Sequence, residues 1–301
     1  MRARMIDNFK TVLVATFLRV MSWIPLNRLH KLANLIGRIV FWLPTETRRI
    51  TLINLQLVFP LLPEAERRSL ALQSIQETIK AGLELGHLWY GNLDYLLALI
   101  KGVHGLDLVK DAQTSGRGII FAAPHIGSWE LLGLYVSMLG PMTTLYKPPK
   151  IKGLDRLIVA SRSRAGAEIV PTNRQGVVSL TRALQKGGMT GILPDQQPRN
   201  DGGVFAPFFG IKAFTMTLLP KLAAKTNAVV IFAFAQRRQN GEGFDIVFIP
   251  GEKDIYNPDP ILAATAMNRS VEACVKAAPA QYQWEYKRFK RRPDDAPGRI
   301  Y

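Results

Sequence analysis

Phe121-Ala122-Ala123-Pro124-His125-Ile126-Gly127-Ser128-Trp129-Glu130 sets a histidine and a carboxylate five residues apart at a point where a strand should end. The apolar run Gly118 to Ala123 has the composition of a buried strand, and Leu131, Leu132, Tyr135 and Leu139 recur with helical spacing over Ser128 to Leu139. His125 is therefore expected in the turn between strand and helix. On one continuous helix, residues five apart point about 140° away from each other, so only a turn can bring this pair together. With Gly127 bending the chain and Ser128 capping the helix, Glu130 falls in the first turn and can reach back to one ring nitrogen of His125. The other nitrogen is then free to take a proton from a substrate hydroxyl. The competing reading is structural: a histidine that satisfies a loop carbonyl, and a helix N-terminal acid favoured by the macrodipole.

Downstream, short apolar runs alternate with helical stretches. Met142 to Tyr146, Glu168 to Val170 and Thr190 to Leu193 read as strands. Between them lie a basic helix carrying Arg156, Arg162 and Arg164, and a second helix over Gly176 to Gln185. Ala228 to Ala235 and Phe244 to Ile249 are two more strands, joined by the polar turn Gln239 to Gly243, and Pro260 to Ala277 is a closing helix. This pattern predicts an α/β fold: a largely parallel mixed sheet flanked by helices, with its site beyond the strand ends. His125, Lys147 and Asp195 all follow such ends. In Gly203 to Gly210, Phe205, Phe208 and Phe209 either line an acyl-chain groove or plug the loop into the core.

Upstream, Thr51 to Leu99 reads as helical, with Pro60 and Pro63 marking a break before Glu64 to Tyr90, and Leu106 to Lys110 as a short strand. His87, Trp89 and Tyr90 read as packing residues, and His104 has no companion at metal spacing. The first 49 residues are basic and apolar together, with nine Lys or Arg against Asp7 and Glu46. Val12 to Leu18 and Leu32 to Leu43 are apolar runs interrupted at Arg19 and Arg38, and neither reaches the ~18 uninterrupted residues of a typical spanning helix. Residues 1–45 are nonetheless expected to form a membrane-anchoring helical segment. It either spans from about Phe9 to Ile24 with a snorkelling Arg19, or lies in the interface with Trp23 and Trp42 at headgroup level. Residues 46–301 would form the catalytic domain, disordered beyond Pro293.

A net charge of +16 over 301 residues implies anionic partners: nucleic acid, an acidic protein, or an anionic membrane surface. A hydrophobic content of 48% argues against a histone-like or disordered chain. Cys274 is alone, so no intramolecular disulfide forms. Near the C-terminus, Tyr282, Trp284 and Tyr286 alternate ahead of Lys287, Arg288, Lys290, Arg291 and Arg292, a pattern suited to stacking on nucleic acid or to pinning a strand at a membrane. The sequence has no G-x-S-x-G elbow, no phosphate loop, no H-E-x-x-H and no dinucleotide fingerprint.

His125 followed by Glu130 resembles the H-x4-[D/E] motif of the glycerolipid-type acyltransferase superfamily. Nearly the whole chain resembles its bacterial lipid A branch, the late lauroyl/myristoyl acyltransferases. The matching segments are Asn54 to Pro60, Tyr146-Lys147-Pro148, Pro194-Asp195-Gln196 with Phe205 to Phe209, and Gln281 to Trp284 with Arg288-Phe289-Lys290. The resemblance implies an enzyme on the cytoplasmic face of a Gram-negative inner membrane. It would move a fatty acyl group from acyl carrier protein to a hydroxyl of a lipid A precursor, with no covalent intermediate. It would need no cofactor beyond the donor's phosphopantetheine, and nucleic acid would not be a partner. In that scheme His125 is the general base and Glu130 holds and polarises it. Lys147, Arg162 or Arg164 stabilises the oxyanion or holds a phosphate, Asp195 orders the pocket, and Gln196 is a further substrate-binding residue. This chain has Lys147 and Tyr286 where the branch usually has arginine and often histidine, which leaves open another glycolipid or aminolipid acceptor. A non-catalytic basic membrane-binding protein is the alternative of a different class.

Overall fold

Apolar runs of four to nine residues bounded by glycine, proline and helix caps form the strands of this protein, and the longer amphipathic stretches between them form helices. The computed structural model describes residues 2–198, 202–294, 296 and 298–301. Helices α1 (Arg2–Met21), α2 (Leu26–Trp42), α3 (Glu46–Val58), α4 (Glu64–Tyr90) and α5 (Leu93–Ala98) come first. Then follow β1 (Ile100–His104), α6 (Leu106–Thr114), β2 (Ile119–Ala122), α7 (Trp129–Ser137), β3 (Thr143–Tyr146), α8 (Asp155–Ser163) and β4 (Glu168–Pro171). The chain continues through α9 (Arg174–Gln185), β5 (Met189–Ile192), β6 (Gly203–Phe208), β7 (Ile211–Met216), α10 (Leu218–Thr226), β8 (Val229–Arg237), β9 (Phe244–Pro250) and α11 (Pro260–Ala277).

The main sheet has the order β1-β9-β8-β2-β5. All its pairings are parallel except β8 with β9, the hairpin closed by the polar turn. A single bridge from Met142 to Met189 continues the sheet to the parallel pair β3 and β4. One apolar layer, including Ile120, Phe232, Phe234 and Met267, packs beneath α10 and α11, and a second, including Phe121, Leu132, Val136 and Phe248, packs beneath α6 and α7. β2 is buried on both faces, as a central parallel strand must be. The expected sheet flanked by helices is present.

Several expectations need correction. Leu106 to Lys110 is not a strand: Gly105, at φ +74°, turns the chain into α6, which buries Val109 and Ala112 at helical spacing. The strand lies just before it, at β1.

The membrane-anchoring segment, and with it the inner-membrane location, is not supported. No helix among the described residues is long and apolar enough to cross a membrane. The charges of Asp7, Lys10 and Arg19 break up α1, and Arg28, Lys31 and Arg38 break up α2. What looked like a detached anchor is partly core: Leu18 and Met21 of α1 and Leu29, Ala33 and Phe41 of α2 are buried. Gly86 of α4 admits the Leu18 carbonyl so closely that a Cβ would collide with it. The other faces of these helices leave Phe9, Trp23 and Trp42 exposed.

Much of the aromatic-basic C-terminal stretch faces inward, while Lys290 and Arg291 are exposed. Tyr282, Trp284, Arg288 and Phe289 are buried, with the rings of Tyr282 and Trp284 meeting edge to face at 4.8 Å. The Arg288 guanidinium donates to Phe214 O at 2.7 Å and Thr215 Oγ1 at 2.9 Å. The phenylalanines of 205–209 fall in and after β6: Phe208 is buried among Tyr282 and Phe289 and Phe209 packs on the same core, so these two plug the core, while the half-buried Phe205 meets the ring of Phe214. The polar loop before Gly203 and the tail beyond Pro293 fall partly outside the described residues. Within the described tail, the Tyr301 hydroxyl accepts from Phe289 N at 3.2 Å and donates to Asn54 Oδ1.

Candidate active site

Strand register builds the site. β2 and β5 pair in parallel with Ala122 opposite Ile192, and Ala123 N donates to Ile192 O at 2.9 Å. His125 and Asp195 each lie three residues beyond those paired ends, so the two loops deliver them to the same place. The ring Nδ1 of His125 lies 2.9 Å from Asp195 Oδ1, and the backbone N–H of His125 donates to Oδ2 at 3.0 Å. One carboxylate thus fixes both the ring and the chain that carries it. Because the carboxylate accepts, the Nδ1 nitrogen carries the proton and Nε2 presents its lone pair.

Asp195 is 2% exposed, and burial alone would push its carboxyl up. The attraction of the neighbouring His125 and the hydrogen bonds from its ring and backbone outweigh burial and hold it below the usual carboxylate range.

The expected His125–Glu130 dyad is absent from this arrangement. Glu130 is buried and pairs with Arg162, whose Nε donates to Oε2 at 3.1 Å and whose Nη2 donates to Oε1. The cause is local. Gly127, at φ +61°, bends the chain as expected, and Gly127 N donates to Gln281 O while Ser128 N donates to Ala235 O. A Cβ at Gly127 would run into the Ala235 carbonyl, so only glycine fits. That clamp starts α7 with Glu130 on the side of α8, away from the imidazole. Ser128 occupies the N-cap position, but its side chain makes no capping hydrogen bond. The Arg162 guanidinium sits 5.7 Å from the Trp129 ring centre and 5.6 Å from that of Tyr146, and the Trp129 ring is 5.8 Å from that of His125.

Of the other residues singled out from the sequence, Gln196 reaches the imidazole, with its Nε2 3.2 Å from His125 Nε2. Lys147 is exposed at the end of β3. Arg164 serves structure, donating to the carbonyls of Leu88 and Gly91 at the end of α4.

Sequence reasoning missed the buried Arg237, which donates to both oxygens of Glu84, at 2.7 and 2.8 Å, and to Gly127 O at 2.9 Å. His30 Nε2 approaches Glu84 Oε1 at 2.7 Å from α2. Burial opposes ionisation of Glu84, but Arg237 and His30 together lower its carboxyl to about 2. The only signal in the sequence was a charge at the end of an apolar strand, too common to single out.

Two cavities meet at Trp129 and Glu130. One, of about 260 Å³, lies between α4 and the histidine turn, and His125, Thr78, Arg237, Gln281 and Gln283 contribute to its walls. The other, of about 120 Å³, runs beneath α7 between Leu132, Val136, Met142, Gly191 and Leu193, with Arg162 at its polar end. Among the described residues no group of three or more His, Cys, Asp or Glu is placed to hold a metal ion.

A histidine oriented by a buried carboxylate, beside a largely apolar cavity at the ends of parallel strands, is an arrangement suited to activating a hydroxyl. The sequence profile of the family described as bacterial lipid A biosynthesis acyltransferase matches residues 1–291. The chain is 27% identical to the lipid A biosynthesis lauroyltransferase of Escherichia coli K12, over 92% of this chain and 90% of the relative. It is 30% identical to the lipid A biosynthesis palmitoleoyltransferase of the same organism, over 80% of this chain and 78% of the relative. To the lipid A biosynthesis myristoyltransferase, also of that organism, it is 24% identical over 88% and 81%. The chain belongs to the family of bacterial lipid A biosynthesis acyltransferases, and it is an acyltransferase.

Proposed function

We propose that this protein transfers a fatty acyl group from the thioester of acyl carrier protein to a hydroxyl of a lipid A-like acceptor, with His125 as general base and Asp195 as the residue that orients it. The contact between His125 Nδ1 and Asp195 Oδ1, at 2.9 Å, carries this reading. It leaves Nε2 as the nitrogen that removes the proton from the acceptor hydroxyl.

The hydroxyl oxygen then attacks the thioester carbonyl, and a tetrahedral oxyanion forms as the proton reaches Nε2. Collapse of that intermediate breaks the carbon–sulfur bond, and the leaving thiolate takes the proton back from the imidazolium. No bond between enzyme and acyl group is formed. Asp195 stays ionised and stabilises the transient imidazolium.

Arg162, fixed by Glu130 and stacked between Trp129 and Tyr146, brings a positive charge to the polar end of the apolar cavity, where the acyl chain's carbonyl end would lie. Lys147, exposed on the rim, is suited to an acceptor phosphate. The names of the relatives, which include lauroyl-, palmitoleoyl- and myristoyltransferases of lipid A biosynthesis, support the substrate classes.

The test is a mass-resolved assay of purified protein with acyl carrier protein donors of several chain lengths and a panel of lipid A precursors. Acylated acceptor from wild type and none from His125→Ala supports the proposal. Equal product from the variant, or release of free fatty acid in place of acylated lipid, refutes it.

A further inference from the structure

The nitrogen that the proposed mechanism needs is covered in the resting site. Gln196 Nε2 lies 3.2 Å from His125 Nε2 and 3.2 Å from Gln283 Oε1. The direction of these contacts is set by the ring. Behind Gln283, Glu285 is half-buried and accepts from Thr78 Oγ1 at 2.8 Å. Gln196 turns its NH₂ toward the Gln283 side-chain oxygen. The same NH₂ points its second hydrogen at His125 Nε2. That nitrogen can only accept, because the ring proton is on the Asp195 side. The backbone holds the assembly together: Gln283 N donates to His125 O at 3.1 Å, and Gln197 N donates to the Tyr286 hydroxyl at 2.9 Å.

We propose that Gln196, aimed by Gln283, is a positioning residue that holds a donor against the base nitrogen until the acceptor hydroxyl replaces it. The inference rests on the reading of His125 as the base and adds what keeps that base ready. An N–H directed at Nε2 stabilises the neutral imidazole, because the imidazolium has no lone pair to accept it. The amide occupies the place the hydroxyl will take.

Other charged groups face the same space from every side. Asp195 lies on the opposite edge of the ring, Glu285 behind Gln283, and Glu77 and Arg237 on the wall formed by α4 and β8. Glu130 and Arg162 stand beyond Trp129. Gln196 is the group whose hydrogen bond meets the lone pair itself.

Two measurements test this. The first is the pH dependence of kcat/KM for Gln196→Ala and Gln283→Ala beside wild type. Loss of the donor makes the empty imidazole easier to protonate, so the acid limb of Gln196→Ala moves to higher pH. A neutral hydrogen bond of about 1 kcal/mol corresponds to a roughly threefold to fivefold loss of kcat/KM well below the limb, with KM for the acceptor not raised. Gln283→Ala, which removes the oxygen that aims Gln196, moves the limb the same way by less. Gln196→Glu, which sets an anion against Nε2, moves it further.

The second is the ¹⁵N NMR titration of His125 in substrate-free protein, which reads the same change without turnover. An upward move of the midpoint in Gln196→Ala supports the inference. An unmoved midpoint, or a raised acceptor KM with the limb in place, overturns it and makes Gln196 an ordinary substrate contact. Full activity in His125→Ala would sink the underlying mechanism, yet the titration would still report on the amide.

Discussion

Asp195 is the residue on which the behaviour of His125 turns. Its carboxyl is held below the usual range, so it contributes stability at neutral pH that is lost as pH falls through the lowered value. Asp195→Asn should therefore flatten the acid side of the stability curve, measured as denaturation midpoint against pH. Cys274 offers a second check on the buried interior. It is fully buried, and burial pushes its thiol up to about 12. The native protein should resist thiol reagents at neutral pH and react as fast as a model thiol once unfolded, which mass spectrometry of timed samples reads directly.

His125 was legible in the sequence because a lone histidine after an apolar run, followed by glycine and a helix start, is a local pattern. Its partner was not. Asp195 is 70 residues away and joins the ring through the register of β2 on β5, whereas Glu130 was near in sequence and turned out to belong to Arg162.

At the scale of elements, the histidine turn is clamped between β8, α4 and the chain following α11. Arg237 holds the Gly127 carbonyl, Glu84 holds Arg237, and Gln281 bonds the backbone of Arg237 in both directions at 2.8 and 2.9 Å. Removing one member of a buried ion pair leaves the other charge uncompensated. Glu84→Gln or Arg237→Met should cost about 3–5 kcal/mol of stability, read from denaturant titration. Trp284, buried with its indole N–H donating to Pro279 O at 2.8 Å, should cost about 3–5 kcal/mol when replaced by Ala. The central strands and the helices between them were legible from their periods. The C-terminal stretch was misread because alternating aromatics and cations look the same whether they face solvent or, as with Arg288, hydrogen-bond inside a core.

For the molecule as a whole, the excess of 16 positive charges bears on association. Under the proposed function the donor protein is acidic, so KM for acyl carrier protein thioesters should rise severalfold between low and physiological salt, while a small uncharged thioester donor shows little change. The basic, apolar N-terminal residues read as an anchor because composition does not say which face a residue takes. Leu29 and Ala33 are buried in α2 while Trp42 of the same helix is exposed.

The account stands or falls on which carboxylate governs His125, and the most direct measurement is the pH dependence of kcat/KM for Asp195→Asn and Glu130→Gln beside wild type. Loss of the anion beside Nδ1 should move the acid limb to lower pH and cut the plateau by roughly a hundredfold or more in Asp195→Asn. Glu130→Gln should leave the limb in place, whatever it does to the plateau through Arg162. A limb that stays put in Asp195→Asn and moves in Glu130→Gln would contradict the account.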